Sequence, residues 1–227
     1  MSHLHEDNNL RDILRYEDDS AGQLSREVVT VATGQTLLQG AVIGKITKAI
    51  ATTGTADAGN AGGGTVTSVT QGLMSKIGAY IVKCISVAVA SPLSLLRFEV
   101  TDPDGDVVGQ PGAGAFTSSQ INLTITDGSP ATEVDDFWTI AVSAGSGKVK
   151  EIAAQHDAVD GTSEAYGFLT ADCTATGDTE AVAIVKNAVI IAANLVWPTT
   201  SPAFSEGDKT AALVQLAAKG IVARAEA

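Results

Sequence analysis

The stretch of residues 164–198 constrains the fold more than any other part of the sequence, because its apolar residues follow a strand pattern. In residues 165–171 the apolar side chains fall on both faces of an extended segment, and in residues 181–185 they are almost continuous. Such runs are typical of strands that are buried on both sides. Gly177-Asp178 between them favours a tight turn, so the two runs are predicted to pair as a hairpin.

The order of segments in this part of the chain resembles that of a known protein family. The segments are Gly167-Phe168-Leu169, a polar loop, the run 181–185 (AVAIV), Leu195-Val196-Trp197-Pro198, a charged loop with Lys209, an alanine-rich helix and Gly220-Ile221. This order is similar to that of the head decoration proteins of tailed bacteriophages, of the lambda protein D type. The upstream run 39–45 (QGAVIGK) supports the same resemblance. Members of that family are usually much shorter, so the middle of this chain is predicted to be an addition.

That middle part has the pattern of a separate β-domain. Strand-length segments alternate with turn signals and show no helical periodicity; they are residues 65–70, 79–85, 95–101, 121–126 and 137–142. In one of them Ile121, Leu123 and Ile125 alternate with polar residues and are predicted to face a core. We therefore predict a small β-sandwich over residues 64–147, which resembles in its general features the Ig-like modules inserted into phage structural proteins. The glycine-rich residues 52–64 are predicted to be a flexible linker.

The predicted fold is mainly β: a decoration-protein (β-clip-like) domain, formed by residues 27–63 and 148–227, is interrupted by the β-sandwich insertion. One helix is predicted in this domain, over residues 206–219, near its C-terminal end. Ser205 and Asp208 have the spacing of a capping box, and Gly220 suits the position that follows a helix.

Residues 1–26 are polar and acidic, and their apolar group consists of Leu10, Ile13 and Leu14. These three fall on one face of a helical turn, and Tyr16 follows them. A segment of this composition buries too little apolar area to order itself alone, so we predict a flexible N-terminal arm. Two interpretations stay open: a frayed terminus, or an arm that orders on a partner surface through these four residues.

The charge balance argues against two classes of partner. The sequence has 14 basic and 26 acidic residues, a net charge of −12, and no cluster of Lys and Arg that could displace counterions from nucleic acid. The same acidity disfavours binding to anionic lipid.

The longest apolar window of the sequence is not predicted to span a membrane, because it is interrupted by Lys186, Asn187 and Asn194. Residues 1–9 show no secretion signal, so we expect synthesis in the cytoplasm.

No pattern in the sequence predicts a catalytic, cofactor or metal site. Asp102, Asp104 and Asp106 have the spacing of the first ligands of a calcium-binding EF-hand, but the glycine at loop position six and the glutamate at position twelve are missing. A plain hairpin turn is therefore predicted there. The loop of residues 145–148 (GSGK) lacks the other residues of a phosphate-binding motif.

The cysteines and histidines are also predicted to have no catalytic role. Cys84 and Cys173 are expected to be buried thiols and not to form a disulfide. His3, His5 and His156 are expected to be solvated. We therefore expect that the protein is not an enzyme and that it binds no cofactor.

The family resemblance implies a mechanical function. Proteins of this kind form trimers on the outside of the expanded capsid and bridge neighbouring capsid subunits, so the implied partners are the major capsid protein and further copies of this chain, and the implied location is the virion exterior, after synthesis in the host bacterial cytoplasm. Trp197, followed by Pro198, is predicted to be either a core residue or an anchor of the trimer interface. Residues 181–185 and 189–196 are predicted to leave apolar surface for another subunit. The alternative is an Ig-like binding or adhesin module on a virion surface or tail.

Overall fold

The computed structural model describes residues 9–17, 25–87, 96–154, 158–199 and 204–224. It is mainly β, as predicted, with 46% of residues in strands and 10% in helices. The chain divides into two compact units: unit 1 comprises Met1–Thr47 and Ser146–Ala227, and unit 2 comprises Lys48–Gly145. A single continuous stretch therefore forms unit 2, and this stretch interrupts unit 1.

The elements follow one another along the chain in three groups. Unit 1 begins with α1 (Leu10–Ile13), β1 (Leu14–Glu17), β2 (Arg26–Val31), β3 (Gln35–Leu37) and β4 (Val42–Lys45). Unit 2 contains β5 (Lys48–Ile50), β6 (Thr55–Ala56), β7 (Thr65–Gln71), β8 (Gly78–Ser86), β9 (Arg97–Thr101), β10 (Val107–Gly109), β11 (Gly114–Phe116), β12 (Ile121–Thr126) and β13 (Phe137–Ala144). Unit 1 continues with β14 (Val149–Glu151), β15 (Ala165–Leu169), β16 (Cys173–Ala175), β17 (Thr179–Ile184), β18 (Ala188–Ile191), a 3-10 turn (Ala192–Asn194), α2 (Glu206–Ala218) and β19 (Ile221–Arg224).

A closed barrel with the strand order β14-β2-β17-β15-β4 forms the centre of unit 1. The predicted hairpin is present, because Phe168 of β15 pairs with Ile184 of β17, and Leu169 pairs with Ala183. The connection between these strands also contains β16, which pairs with β3 in a separate two-stranded sheet. The long run of strand-forming residues in the sequence therefore closes a barrel.

Successive residues of the barrel strands enter two different hydrophobic cores. Leu169 and Ala183 belong to the cluster enclosed by the barrel, whereas Phe168 and Ile184 belong to a second cluster on its outer side. All four side chains are fully buried. The prediction of burial on both faces is therefore confirmed where β15 and β17 pair, and this burial explains the continuous apolar run there, whereas Val182 earlier in β17 is 39% exposed.

The second cluster is covered by the sheet β1-β18-β19 and by α2. β18 and β19 are parallel, and α2 supplies the crossover that a parallel pair needs. The helix begins with the predicted capping box: the Ser205 side chain accepts a hydrogen bond from the Asp208 N–H, and the Asp208 carboxylate accepts one from the Ser205 N–H. After the helix, Gly220 adopts a φ of +79°, a conformation that glycine reaches without strain.

Unit 2 consists of two sheets that share one core. One sheet has the order β10-β9-β8-β13-β5, with β6 also paired to β13, and the other has the order β11-β12-β7. Ile121, Leu123 and Ile125 of β12 are buried, as their alternation predicted, and they belong to the same cluster as Tyr80 and Trp138 from the first sheet. The five strand segments predicted from the sequence correspond to β7, β8, β9, β12 and β13.

The boundary between the units differs from the prediction. The sequence predicts that residues 48–63 belong to the first domain, with the glycine-rich part as a linker, but β5 and β6 pair with β13 inside unit 2. The buried Asp136 carboxylate accepts hydrogen bonds from the N–H groups of Ala61 and Gly62, at 2.7 and 2.9 Å. A Cβ atom on Gly62 would come within 2.5 Å of the Ala131 carbonyl oxygen. Glycine is therefore present in this segment for close packing, whereas its composition had suggested flexibility.

Both cysteines are buried and unpaired, as predicted, Cys84 in unit 2 and Cys173 in unit 1. Burial raises the pKa of the Cys84 thiol. Within the described ranges of the chain, no helix is long and apolar enough to cross a membrane.

Candidate assembly and capsid-binding surfaces

The apolar residues of the predicted N-terminal arm pack against unit 1. Residues 9–17 form α1 and β1, and β1 pairs antiparallel with β18. Ile13 is fully buried, and Leu10 and Leu14 pack against the same cluster. Tyr16, in contrast, is 62% exposed. For residues 9–17 the expectation of a free arm is therefore corrected, whereas residues 1–8 and 18–24 lie outside the described part of the chain.

The fit of Ile13 depends on a glycine that lies far away in the sequence. Gly40 adopts a φ of +82°, and a Cβ atom there would lie 2.5 Å from the Cδ1 atom of Ile13. The Asn194 side chain also donates a hydrogen bond to the carbonyl of Asp12, at 2.9 Å. The segments around Gly40 and Asn194 thus both contact α1, so we expect it to contribute to the stability of unit 1.

Trp197 lies near the end of the stretch 164–198, where it is half-buried. Its ring stacks on that of Phe204, with centroids 5.6 Å apart and an angle of 18° between the planes. Phe204 is itself buried in the outer cluster of unit 1, and Trp197 packs against that cluster. Pro198 follows and is also half-buried. Trp197 therefore has both a core contact and an exposed part, and its role in a trimer stays a prediction.

Unit 1 itself covers most of the apolar surface that was predicted to face another subunit. Ala183, Ile184 and Val185 are buried, as are Ile190, Ile191 and Leu195. The main exception is Val182, which is 39% exposed and pairs across the strands with Val28, itself 63% exposed. This valine pair on the outer face of β2 and β17 is the apolar surface that remains open in the predicted region.

A basic and aromatic cluster, which sequence reasoning missed, surrounds Tyr166. The ammonium groups of Lys45 and Lys219 lie 4.6 and 5.1 Å from the centre of the Tyr166 ring. The Tyr166 hydroxyl donates a hydrogen bond to the Glu27 carboxylate, at 2.7 Å, and accepts one from Lys45, at 3.3 Å. Burial, followed by the contact with Glu27, raises the pKa of Tyr166 to about 12, so the hydroxyl stays protonated at neutral pH.

An open depression of about 510 Å³ adjoins this ring. We call it the Tyr166 depression; it is lined by Glu27, Tyr166, Val185, Lys186, Asn187, Ala218, Lys219 and Gly220. These residues come from β2, β15, the segment after β17 and the C-terminal end of α2. No short motif connects residues so far apart in the sequence, so no signal in the linear order could have found the depression.

The three aspartates of unit 2 form a turn in which a lysine pairs with two of the carboxylates. The Asp102 carboxylate accepts hydrogen bonds from the N–H groups of Asp104 and Asp106, at 2.9 and 3.1 Å. The Lys76 ammonium lies 2.5 Å from Asp102 and 2.7 Å from Asp104. It lowers the pKa of Asp102 to about 2. This agrees with the predicted turn, and an internal cation occupies the place that a metal would take.

The remaining candidate residues that the structure describes do not assemble into a site. Lys148, from the glycine-rich loop, forms an ion pair with Asp178 at 2.5 Å. His3, His5 and His156 lie outside the described residues. Within the part of the chain that the structure describes, Asp102, Asp104 and Asp106 form the one carboxylate group with the spacing of a metal site.

Comparison with solved structures gives no guidance on function. The chain is similar to two crystal structures of FlgL from Xanthomonas campestris, in space groups H3 and C2, each with 19% identity and a TM-score of 0.30. The match covers 51% of this chain and 34% or 33% of the FlgL chains, so this chain spans about a third of their length. A likeness this low carries no argument. No curated protein sequence matches the chain.

Comparison with protein families gives a clear result. The chain matches the family described as bacteriophage lambda head decoration protein D over residues 3–221. The match includes both parts of unit 1 and extends across unit 2. It agrees with the resemblance seen in the order of segments from Gly167 to Ile221. The chain therefore belongs to the bacteriophage lambda head decoration protein D family.

Proposed function

We propose that this protein binds the outside of the expanded phage capsid as a homotrimer and stabilises the shell by bridging neighbouring capsid subunits. The observation that carries this proposal is the family match over residues 3–221, since the family consists of structural proteins of the phage head. The partners in this proposal are the major capsid protein and two further copies of the chain. The protein is made in the host bacterial cytoplasm and resides on the virion exterior.

The construction of unit 1 supports a mechanical role. A closed barrel has no free sheet edges, and one hydrophobic cluster fills its interior while a second packs against part of its outer side, so the unit is suited to transmit load without opening. Many copies on one lattice also gain by avidity, because each contact is made at a high effective concentration. The net charge of −12 argues against contact with the packaged DNA.

The direct test is to mix the purified protein with expanded empty capsids and to examine the particles by cryo-electron microscopy. We expect added density at the three-fold and quasi-three-fold positions. Unexpanded shells under the same conditions are the control. Capsids that carry no added density at saturating protein concentration would contradict the proposal.

Within this proposal, Tyr16 is the capsid-contact residue of the described N-terminal segment. It is exposed next to a segment that is anchored in the unit, whereas Leu10, Ile13 and Leu14 act indirectly by fixing that segment. We expect Tyr16→Ala to weaken capsid binding while the melting temperature stays unchanged. Equal binding of the variant and the wild type would remove Tyr16 from the contact.

Trp197 and Pro198 are the trimer-interface candidates in this proposal. If the exposed part of the Trp197 ring contacts another subunit, Trp197→Ala should remain folded and shift in mass from trimer towards monomer. If the stacking on Phe204 is its main role, the same change should lower the melting temperature and leave the trimer intact. Light scattering combined with thermal unfolding distinguishes the two.

One observation favours the second candidate function, a binding module on a virion surface or tail. Leu73, Met74 and Ile77 in the β7–β8 loop of unit 2 are each more than half exposed. The loop backbone is held in place, because the Gly72 N–H donates to Gln120 and the Met74 N–H donates to Ser119. A rigid loop with exposed apolar side chains suits protein recognition. Capsids decorated with Leu73→Ser/Met74→Ser/Ile77→Ser protein should then adsorb less to host cells than wild-type capsids.

A further inference from the structure

The lysines of this protein divide into two groups by their ion pairs. Five of them have a carboxylate oxygen within 3.7 Å: Lys76, Lys83, Lys148, Lys150 and Lys209. Lys48 instead donates to the carbonyl and hydroxyl of Ser75. Among the described residues, Lys45 and Lys186 have no carboxylate within 4.0 Å, and Lys219 reaches Glu164 only at 3.9 Å. Four of the described lysines thus have no carboxylate within 3.7 Å, and all of them except Lys48 belong to the cluster around Tyr166.

This placement is unusual for a chain with 26 acidic residues. Lys45 and Lys219 are held over the same aromatic ring, at 4.6 and 5.1 Å from its centre, and Lys186 lines the adjoining depression. Positive charges gathered around one ring repel one another, and cation–π contacts with one tyrosine stabilise only the two lysines over it. Glu27 is the carboxylate that lines the depression, and it already accepts a hydrogen bond from the Tyr166 hydroxyl. An added anionic group would therefore be stabilised there.

We propose that the Tyr166 depression, with Lys45 beside it, binds a carboxylate-bearing surface of a second copy of this chain. The inference rests on the proposed homotrimer and identifies one face of its subunit contact. Subunits of a cyclic trimer meet through two different surfaces of the same chain, so a basic surface on one copy requires an acidic surface on the next. Each copy carries a net charge of −12, so association is repulsive unless positive charge is concentrated at the contact.

The depression is also suited to association because its parts are fixed before binding. The Asn187 N–H donates to the Lys219 carbonyl, and the Ala188 N–H donates to the Gly220 carbonyl, which ties the segment after β17 to the end of α2. A Cβ atom on Gly220 would lie 2.7 Å from the Asn187 side-chain oxygen, so glycine keeps these segments in contact. Groups that are ordered in the free protein lose less entropy when a partner binds.

The first test locates the contact directly. Unlabelled and 15N-labelled protein are mixed in denaturant, refolded together and treated with a carbodiimide, which couples lysines to carboxylates that they touch. Mass spectrometry should find cross-links that join Lys186 or Lys219 of one isotope to an Asp or Glu of the other. Lys83, which lies 2.7 Å from Asp135 within unit 2, is the control and should give same-isotope cross-links.

The second test changes the charge. Lys186→Glu/Lys219→Glu should raise the trimer dissociation constant at least tenfold, measured by light scattering as a shift of mass towards monomer. Lys83→Glu/Lys150→Glu makes the same change in net charge away from the depression and should remain trimeric. Lys186→Gln/Lys219→Gln, which introduces no new repulsion, should show a smaller shift in the same direction, and circular dichroism checks that all variants are folded.

The outcomes separate this inference from the function on which it rests. If the wild type is trimeric, and the Lys186→Glu/Lys219→Glu variant stays equally trimeric without mixed-isotope cross-links, the inference is wrong and the trimer proposal stands. If the cross-links formed on decorated capsids join these lysines to the major capsid protein, the depression faces the shell and the inference is also wrong. A wild type that is monomeric both in solution and on capsids would overturn the trimer and this contact together.

Discussion

The two units of this protein build their cores in different ways. Unit 2 uses one continuous stretch of chain, and its core contains three of the largest fully buried side chains, Trp138, Tyr80 and Phe98. Unit 1 uses residues from both ends of the chain, and Phe168 is the largest of its fully buried side chains. The comparison indicates that an inserted domain must supply its own core, whereas the interrupted domain depends on bringing distant segments together.

The insertion point is suited to this arrangement. In unit 1, Lys45 pairs with Val149 across β4 and β14, and in unit 2, Lys48 pairs with Ala144 across β5 and β13. The chain thus leaves and re-enters each unit on neighbouring antiparallel strands. Closing such a pair with a short turn costs little, since each doubling of loop length changes the closure free energy by only about 0.6 kcal/mol.

The largest change that we expect unit 1 to survive in a folded state is the removal of unit 2. Deleting Lys48–Gly145 and joining Thr47 to Ser146 through a short Gly-Ser bridge keeps the hydrogen bonds between Ile46 and the segment 147–148. We expect two unfolding transitions in calorimetry of the full chain, one for each unit. The excision variant should show only the unit 1 transition, and the isolated fragment 48–145 should show only the unit 2 transition. Loss of cooperative unfolding after excision would show that the units share a core.

Trp138→Ala should destabilise unit 2 alone, by about 3–5 kcal/mol, because it leaves a large cavity. The ring is buried, its Nε1–H donates to the Gly64 carbonyl at 3.1 Å, and it contacts the Phe98 ring edge-on at 6.1 Å. Calorimetry should show a lower melting temperature for the unit 2 transition and an unchanged melting temperature for the unit 1 transition. Val107→Ala, at an exposed site in the same unit, is the control. If both transitions move together, the separation of the units is wrong.

Ile13→Ala should destabilise unit 1 by about 2–5 kcal/mol, the range for removing a buried isoleucine. Tyr16→Ala is the matched control in the same segment, and we expect little change there because the ring is 62% exposed. Denaturant unfolding of both variants measures the difference. An Ile13→Ala protein as stable as the wild type would mean that residues 9–17 behave as the free arm inferred from their composition.

Within unit 1, sequence reasoning succeeds for the barrel strands and fails for the N-terminal segment. The strands around Phe168 and Ile184 were predictable, because continuous apolar runs between turn residues are typical of buried strands. The helix after Ser205 was predictable from its capping residues. The position of Ile13 was not, because its burial depends on space left by Gly40, and composition does not report on such a distant contact.

The glycine-rich segment and the Tyr166 depression were missed for a related reason. Composition makes residues 52–64 look like a linker, but the Asp136 carboxylate and the adjacent strand β13 order them. Tyr166, Lys186 and Lys219 lie on different elements, and only the closure of the barrel and the packing of α2 bring them together. Long-range contacts determine both features, and neither has a local pattern.

Lowering the pH should destabilise unit 2 because Asp102 becomes protonated. This is the smallest change in stability that we expect. The hydrogen bond from Lys76 lowers the pKa of Asp102 to about 2. A carboxyl group with a depressed pKa stabilises the folded state above its ordinary pKa, and this contribution is lost as the pH falls from about 4 to 2. We expect the melting temperature of the unit 2 transition to differ between wild type and Asp102→Asn at neutral pH, and the difference to shrink over that range. A difference that is independent of pH would contradict this role.

We propose that unit 1 is the capsid-binding domain and that unit 2 is an addition to it, and the most direct test is to add the excision variant to expanded empty capsids. This variant lacks Lys48–Gly145 and keeps both parts of unit 1. Cryo-electron microscopy should show density for unit 1 at the three-fold positions, with an occupancy similar to that of the full chain and with the density of unit 2 missing. A folded excision variant that leaves those positions empty, under conditions in which the full chain fills them, would contradict that role.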